Sequence, residues 1–424
     1  MYRKRIDSLP EKTGSLVINN NEILFLGQKA THLTKKFGSP LYIYCEDIIR
    51  TSCRKLKTVF HYPDFTLNYS VKSNSNVNIL KIIHEEGFGI DTVSPAEIAL
   101  GLKAGIPSNK ILFISNNVSI EEFNFAVKNK VVVSVNSLGQ LDLFGRHFPG
   151  EKIAIRINPG FGDGHHENVV TGGTKTKFGV ELTQLEEIKE IAQHHALKIC
   201  GLNVHIGSNF MDYRSYVAAS KVILGVASHF KDLDFIDFGG GLGISYQEGD
   251  KVLDIEKMGM ELRQLCDDFT EKYGKQLQFI MEPGRYLVAE SGILLTTVND
   301  IKENTYRSFI GTDTGFNILL RPTLYQAYHE IVNCRNVTGS TNPFDICGNI
   351  CESGDLLAEN WPMTHTEISD VLAILDVGAY GYSMASNYNS RPRPAEVLLQ
   401  RNGKITQIRR RDRLGNLIEN QLVV

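Results

Sequence analysis

The stretch Phe65-Thr-Leu-Asn-Tyr-Ser-Val-Lys-Ser-Asn74 is the place to begin. Its first seven residues, Phe65–Val71, are rich in aromatic and β-branched side chains and read as a strand. Lys72 follows, and then Asn76–Glu86 carries apolar residues at helical spacing. A strand followed by a helix is the unit, and the unit repeats. Further strand candidates are Gly89–Ser94, Lys110–Ser115, Val131–Val135, Lys152–Asn158, Leu197–Ile206, Asp234–Gly239 and Gln276–Glu282. Between them lie the helical patterns Pro95–Ala104, Ile120–Lys128, Leu182–His194, Tyr213–Phe230 and Met258–Tyr273. Ser94 before Pro95 is an N-cap followed by a proline at the first helical position. Alternation of this kind argues for a parallel sheet. Eight units without an obvious break favour closure into a TIM-like (β/α)8 barrel over an open doubly wound sheet.

Beyond about residue 290 the helical period fades. Gly292–Val298, Ser308–Gly311, Phe344–Gly348, Val371–Asp376, Ala395–Gln400 and Ile405–Arg409 read as strands. Asn402-Gly403 reads as a hairpin turn, since both residues tolerate positive φ. Near the start, Leu16–Ile18 and Ile23–Leu26 flank Asn19-Asn20-Asn21 in the same manner. The expected architecture is therefore a barrel over residues 41–289 and an all-β domain, sandwich- or barrel-like, built from residues 1–40 and 290–424.

Bulk composition narrows the function classes. The 424 residues are 42% hydrophobic and 22% charged, which suits an ordinary globular chain with material for a core. A formal net charge of -3 calls for neither nucleic acid nor a membrane surface as partner. No apolar run approaches the roughly 18 residues of a membrane span. Met1–Asp7 is charged and leads into no apolar segment, so no secretory signal is expected. Seven scattered cysteines fit a reducing, cytoplasmic setting.

A barrel of this kind places its chemistry at the C-terminal ends of its strands. The unusual polar residues fall there. The first strand runs into Lys72 and the second carries Asp91. The sixth ends at His205-Ile-Gly-Ser208, the seventh at Gly239-Gly240-Gly241-Leu-Gly243, and the eighth at Glu282-Pro-Gly284-Arg285. A lysine at a strand mouth among apolar neighbours has a lowered pKa and becomes a nucleophile for an aldehyde, although an interstrand salt bridge explains it equally. Glycines after a seventh strand let backbone N–H groups approach a phosphate, where elsewhere such a run is a flexible turn. Glu282 could meet a protonated pyridine nitrogen, or be a carboxylate tied to the next strand. His205 could stack on a ring, or be a core histidine satisfied by backbone.

Two segments of the β domain add polar groups. Arg321-Pro-Thr-Leu-Tyr325 offers a guanidinium and a phenol that suit a carboxylate. Cys347-Gly-Asn-Ile-Cys351-Glu352-Ser-Gly-Asp355 offers a thiol beside an acid. Its Cys-x3-Cys spacing lacks a second ligand pair, so no metal is expected.

Taken together these segments resemble the fold-type III pyridoxal-phosphate decarboxylases, whose barrel is alanine racemase-like, and among them the diaminopimelate decarboxylase family. The resemblance runs from about residue 38 to 411. It also rests on Asp91-Thr-Val-Ser-Pro-Ala-Glu97, Arg156-Ile-Asn-Pro-Gly160, Thr176-Lys-Phe-Gly179 and Gly378-Ala-Tyr380. Arg321-Pro-x-x-Tyr325 with Cys351-Glu352-Ser353 singles out that family.

The resemblance implies pyridoxal 5'-phosphate held by Lys72 as a Schiff base. It implies that His205 stacks on the cofactor and Glu282 meets the pyridine nitrogen, with Asp91 also at the cofactor. Ser208, Gly239, Gly240, Gly241, Gly284, Arg285 and Tyr380 are implied around the phosphate. Arg285, Arg321, Tyr325 and Tyr380 are implied on the substrate, with Glu352 reading its distal ammonium and Cys351 donating a proton. Cys351 and Glu352 are implied to reach in from a second subunit, which makes a homodimer with shared active sites. The implied reaction is decarboxylation of meso-2,6-diaminopimelate to L-lysine, the last step of lysine biosynthesis.

The chain departs from the pattern at Asn209, where Gln is usual, at Ile318, where an acid is common, and at Val118, where Lys is usual. These departures bear on fine specificity. The glycine-containing loop Phe161–Thr174 is a candidate for closure over the site.

Overall fold

The computed structural model describes residues 15–60, 65–114 and 116–423. Eight parallel strands close into a barrel: β1 (Phe65–Ser70), β2 (Gly89–Thr92), β3 (Ile111–Ile114), β4 (Val132–Val135), β5 (Lys152–Arg156), β6 (Lys198–Asn203), β7 (Phe235–Gly240) and β8 (Gln278–Glu282). They pair in chain order, and β8 returns to β1 through Phe279–Phe65 and Met281–Leu67. Closure leaves no unpaired sheet edge, and it sets the open sheet aside. Each strand matches its expected position and is trimmed at one end or both, while the seventh also runs one residue further, to Gly240. Ser115, the expected end of the third strand, lies outside the described residues, as do Met1–Asp7.

The trimming of β1 has a local cause. Ser73 Oγ donates to the Ser70 carbonyl at 2.7 Å and Tyr69 Oη donates to the Asn74 carbonyl at 3.0 Å. These bonds turn Val71–Ser73 into a short 3-10 segment that carries Lys72. The helix after β2, Pro95–Lys103, begins at the expected cap, with Ser94 Oγ accepting the Glu97 N–H at 3.3 Å. Glu97 Oε2 accepts the Val93 N–H at 2.8 Å, one residue ahead of the cap, and ties down the chain that leads into the helix.

Inside the barrel, Leu112, Ile114, Ala154, Cys200, Phe235 and Ile280 form an apolar cluster. The register then lines up polar residues at the strand ends. Asn203 of β6 stands beside Arg156 of β5 and Asp237 of β7. Ser70 of β1 stands beside Asp91 of β2.

The second compact unit comprises the described residues through Thr51, Ser245–Asp250, and the chain from Val288 onward. Its main sheet runs Leu356–Thr364, Thr341–Cys347, Ser308–Thr312, Gly292–Glu303, Leu41–Cys45, Ala395–Leu399, Ile405–Arg409, with Val371–Ile374 and Ile331–Asn333 added off that path. Leu41–Cys45 corrects the expected boundary at residue 41. All five of its residues are buried, between antiparallel Gly292–Glu303 and parallel Ala395–Leu399. A short run buried on both faces has no alternation, so its sequence alone does not say which sheet it joins. The two anticipated hairpins are present. Leu16–Asn19 pairs with Glu22–Phe25 across Asn20 and Asn21, at φ 48° and 65°. Ala395–Leu399 pairs with Ile405–Arg409 across a turn with Gly403 at φ 79°. The core of this unit is a cluster that includes Leu33, Leu41, Ile43, Leu295, Ala373, Val397 and Leu399.

Candidate active site

The turn after β1 carries Lys72 to the mouth of the barrel, its side chain 37% exposed. Its Nζ lies 3.8 Å from Asp91 Oδ2, and Asp91 is 1% exposed. Burial pushes the Asp91 carboxyl above its usual range, and the Lys72 charge pulls it back. The interstrand ion pair considered from the sequence is therefore present, and it fixes the amine at the strand mouth.

Three carboxyl groups meet at this end of the barrel. Glu282 Oε1, Asp237 Oδ2 and Asp91 Oδ1 are buried with no hydrogen-bond partner among the described residues. Burial raises Glu282 well above a free carboxyl, and the charges of Asp237 and Asp91 raise it further. Asp237 rises to about 7 for the same first reason. Arg156 is the counterweight. Burial lowers it to about 10, while Glu282, Asp237 and Asp91 hold it up. The sequence segments contained Arg156 and Asp237, but neither received a role. The signal was available, since Arg156 ends the strand Lys152–Arg156 and Asp237 interrupts the apolar start of Phe235–Gly240.

His205 is fixed by the glycine loop. Gly240 N–H donates to its Nδ1 at 3.1 Å, so Nδ1 is the lone-pair nitrogen and the ring proton sits on Nε2. Burial, then the Lys72 and Arg156 charges, hold the ring well below the usual histidine pKa, so it is neutral. The loop is shaped by backbone crowding. Gly239 adopts φ +74°, and a Cβ on Gly240 would lie 1.8 Å from the Glu282 carbonyl oxygen. Asp237 Oδ1 accepts the Gly239 N–H at 2.8 Å and stiffens the turn. Arg285 Nη2 donates to Ser208 Oγ at 3.0 Å, joining the ends of the sixth and eighth strand loops. Asn209, one of the departures, sits at φ 60° and accepts the Ile244 N–H at 3.1 Å. Asn tolerates that left-handed backbone better than the expected Gln.

The loop Phe161–Thr174 is fastened to the His205–Ser208 segment. Asp163 and Thr171 N–H groups both donate to the Ile206 carbonyl at 3.1 Å, and His165 N–H donates to Ser208 O at 3.2 Å.

On the sheet unit, Arg321 opens a short helix, Arg321–Tyr325, and is 1% exposed. Tyr325 is half-buried at the end of that helix. Cys351 and Glu352 are both exposed on the loop after Thr341–Cys347. Asp355 ties that loop by accepting the Ile350 and Phe316 N–H groups at 2.7 and 2.6 Å. Tyr388 Oη donates to Glu352 Oε1 in a short contact, and its ring stacks on Phe316 with centroids 5.6 Å apart. Cys351 N–H donates to Asn389 Oδ1 at 2.9 Å. Tyr380 sits at φ 58°. Tyr388 was not singled out from the sequence, because its contact spans 36 positions.

Residues 46–289 match the family model described as pyridoxal-dependent decarboxylase, pyridoxal binding domain. The diaminopimelate decarboxylase of Methanothermobacter thermautotrophicus is 40% identical over 96% of this chain and 97% of its own length. The enzyme of that name from Aquifex aeolicus is 34% identical over 98% and 100%. This chain belongs to the diaminopimelate decarboxylase family of pyridoxal-dependent decarboxylases. Among solved structures, diaminopimelate decarboxylase from M. jannaschii superposes with a TM-score of 0.87 at 30% identity, covering 98% of this chain and 99% of that one. The Helicobacter pylori family member, complexed with L-lysine, gives 0.83 at 34%, covering 92% and 98%.

Family membership implies a pyridoxal cofactor, and the barrel mouth suits one. A buried carboxyl oxygen without a partner, on Glu282, matches a ring N–H. The Gly239–Gly241 backbone packs against the Val204, Glu282 and Gly207 carbonyl oxygens too closely for any Cβ, which fixes the turn beside His205. A neutral imidazole and a lysine amine complete the set.

Proposed function

We propose that this chain decarboxylates meso-2,6-diaminopimelate to L-lysine and carbon dioxide, with pyridoxal 5'-phosphate held in the barrel. The observation that carries the reading is the convergence of Lys72, Asp91, His205, Gly239–Gly241 and Glu282 at one end of one barrel, in a chain whose near-full-length relatives are diaminopimelate decarboxylases. When bound, pyridoxal phosphate supplies an electron sink for the pair released as a carboxylate leaves.

Lys72 anchors the cofactor and gives way to the substrate amine. Glu282, raised by burial, holds a proton against the pyridine nitrogen. His205 covers the ring as a neutral group, and its tautomer is set by Gly240. Ser208, Gly284, Arg285 and Tyr380 join the glycine loop around the phosphate. Asp91 keeps the Lys72 amine in place.

The substrate keeps one carboxylate and one ammonium after the reaction. Arg321 and Tyr325, with Arg285 and Tyr380, answer the carboxylate, and Glu352 answers the ammonium. Cys351 donates the proton that replaces carbon dioxide at the α-carbon. Cys351 and Glu352 serve a second copy of the chain in a homodimer with shared sites, a reading their exposure supports. Seven free cysteines suit a cytoplasmic enzyme.

The test is carbon dioxide release by the holoenzyme from meso-diaminopimelate, D-lysine and D-ornithine in parallel. Turnover confined to the first is expected. Turnover on D-lysine or D-ornithine with none on meso-diaminopimelate overturns the assignment.

A further inference from the structure

The loop that carries Cys351 and Glu352 is gripped by a short turn of the same unit, Tyr388–Ser390. Neighbouring residues of one hold neighbouring residues of the other. Asn389 Oδ1 accepts the Cys351 N–H at 2.9 Å, and Tyr388 Oη donates to Glu352 Oε1 in a short contact. The gripping turn is sharply wound, with Asn389 and Ser390 in succession at φ 54° and 56°. Left-handed backbone at two adjacent non-glycine residues is costly and persists only where surrounding contacts hold it. Those contacts are present. Asn387 Nδ2 donates to the Arg391 carbonyl at 2.9 Å and to Asp412 Oδ2 at 3.1 Å. The Tyr388 ring stacks on Phe316 with the two planes 22° apart. Phe316 is fixed in turn, because its N–H donates to Asp355, the residue that ties the Cys351–Glu352 loop. The hydrogen bond to Glu352 raises the Tyr388 phenol above its ordinary range, so the phenol keeps its proton and is the donor.

We propose that Tyr388 is a positioning residue that aims the Glu352 carboxylate at the distal ammonium of the substrate. This deepens the proposed function and rests on it. An exposed glutamate samples several rotamers, and ordering it when a ligand binds costs free energy. The Tyr388 hydroxyl removes that cost in advance. It takes one acceptor site of one oxygen and leaves the remaining sites for the N–H donors of an ammonium. A phenol is neutral, so it orients the carboxylate without cancelling its charge, as a lysine or arginine would. The stack on Phe316 fixes the plane of the ring that delivers the hydroxyl. Asn389 holds the Cys351 backbone separately, so loss of the hydroxyl leaves the thiol in place.

The test measures inhibition of meso-diaminopimelate decarboxylation by L-lysine and by 6-aminohexanoate, which is lysine without its α-ammonium. Both ligands keep the carboxylate and the terminal amine, so the ratio of their inhibition constants isolates the group that Glu352 reads. Wild-type, Tyr388→Phe and Glu352→Gln holoenzymes are compared. Phe keeps the stack on Phe316 and deletes the donor. Y388F is expected to raise Ki for L-lysine about five- to tenfold and to leave Ki for 6-aminohexanoate within about twofold. KM for meso-diaminopimelate is expected to rise with kcat little changed. E352Q is expected to show the same selective loss, at least as large. A ring with a merely structural role would shift both ligands alike. Parallel shifts in Y388F, or an unchanged Ki for L-lysine, therefore overturn the proposal, while a selective loss in E352Q leaves the proposed function standing. A wild-type enzyme that binds the two ligands equally, an E352Q protein without the selective loss, or a wild-type holoenzyme inert on meso-diaminopimelate overturns the proposed function at Glu352, and this inference with it.

Discussion

Lys72 Nζ stands 3.8 Å from Asp91 Oδ2, an ion contact that links the turn after β1 to the end of β2. The contact holds the amine where the cofactor aldehyde is expected. Charge alone does not suffice there, because an amine must shed its proton to attack a carbonyl, and a guanidinium cannot. Lys72→Arg is therefore expected to keep the fold and the ion pair, yet lose carbon dioxide release to background and lose the visible absorbance of lysine-bound cofactor. Lys72→Ala is expected to behave alike. A wild-type absorption band in either variant would remove Lys72 from its role.

Asp237 sets a pH signature. Its carboxyl is raised to about 7, chiefly by burial, so the folded chain without cofactor binds a proton that the unfolded chain releases near the ordinary carboxyl value of 3.8. Stability from this group is present below that unfolded value and is lost as pH rises through about 7. Asp237→Asn removes the titration while keeping an oxygen for the Gly239 N–H. The melting temperature of the variant, relative to wild type, is expected to climb between pH 5 and pH 8. A difference that stays flat or falls over that range counts against the shift.

Much of this was legible in the chain because barrel strands are numbered by their order. Once Phe65–Val71 was the first strand, Gly239–Gly241 fell after the seventh and Glu282 at the end of the eighth. What stayed hidden depended on pairing between distant residues. Leu41–Cys45 is apolar on both faces, so its own pattern could not choose between the barrel and the sheet. Arg156 and Asp237 sat in view but looked like parts of ordinary strands until register set them beside Asn203. His329, which accepts from Arg321, meets the Leu375 carbonyl 46 positions away, and Tyr246, whose ring faces the Arg321 guanidinium, arrives from the short Ser245–Asp250 insertion that joins the sheet unit.

Gly240 tests the glycine turn that holds His205. An added Cβ would lie 1.8 Å from the Glu282 carbonyl oxygen and 2.8 Å from its carbon, and neither backbone atom can swing aside. Gly240→Ala is expected to cost about 1–3 kcal/mol of stability through overpacking. It is also expected to weaken cofactor retention, because the loop shift moves the N–H that holds His205. Denaturant midpoints and a cofactor titration measure the two effects. Wild-type values for both would mean that the loop yields more easily than its geometry implies.

Cys351 is exposed, so its removal separates chemistry from folding. Cys351→Ala is expected to leave the melting temperature unchanged and to lower turnover roughly 10²–10⁴-fold, the range for a lost proton donor. Its partner test is a mixture with Lys72→Ala. If each site takes its lysine from one copy and its cysteine from the other, a mixed dimer carries one doubly damaged site and one intact site. Random exchange between equal amounts then restores about a quarter of the wild-type rate. Two inactive proteins that stay inactive after verified subunit exchange would place lysine and cysteine on the same chain, and the shared-site reading would fall while the assignment of Lys72 stood.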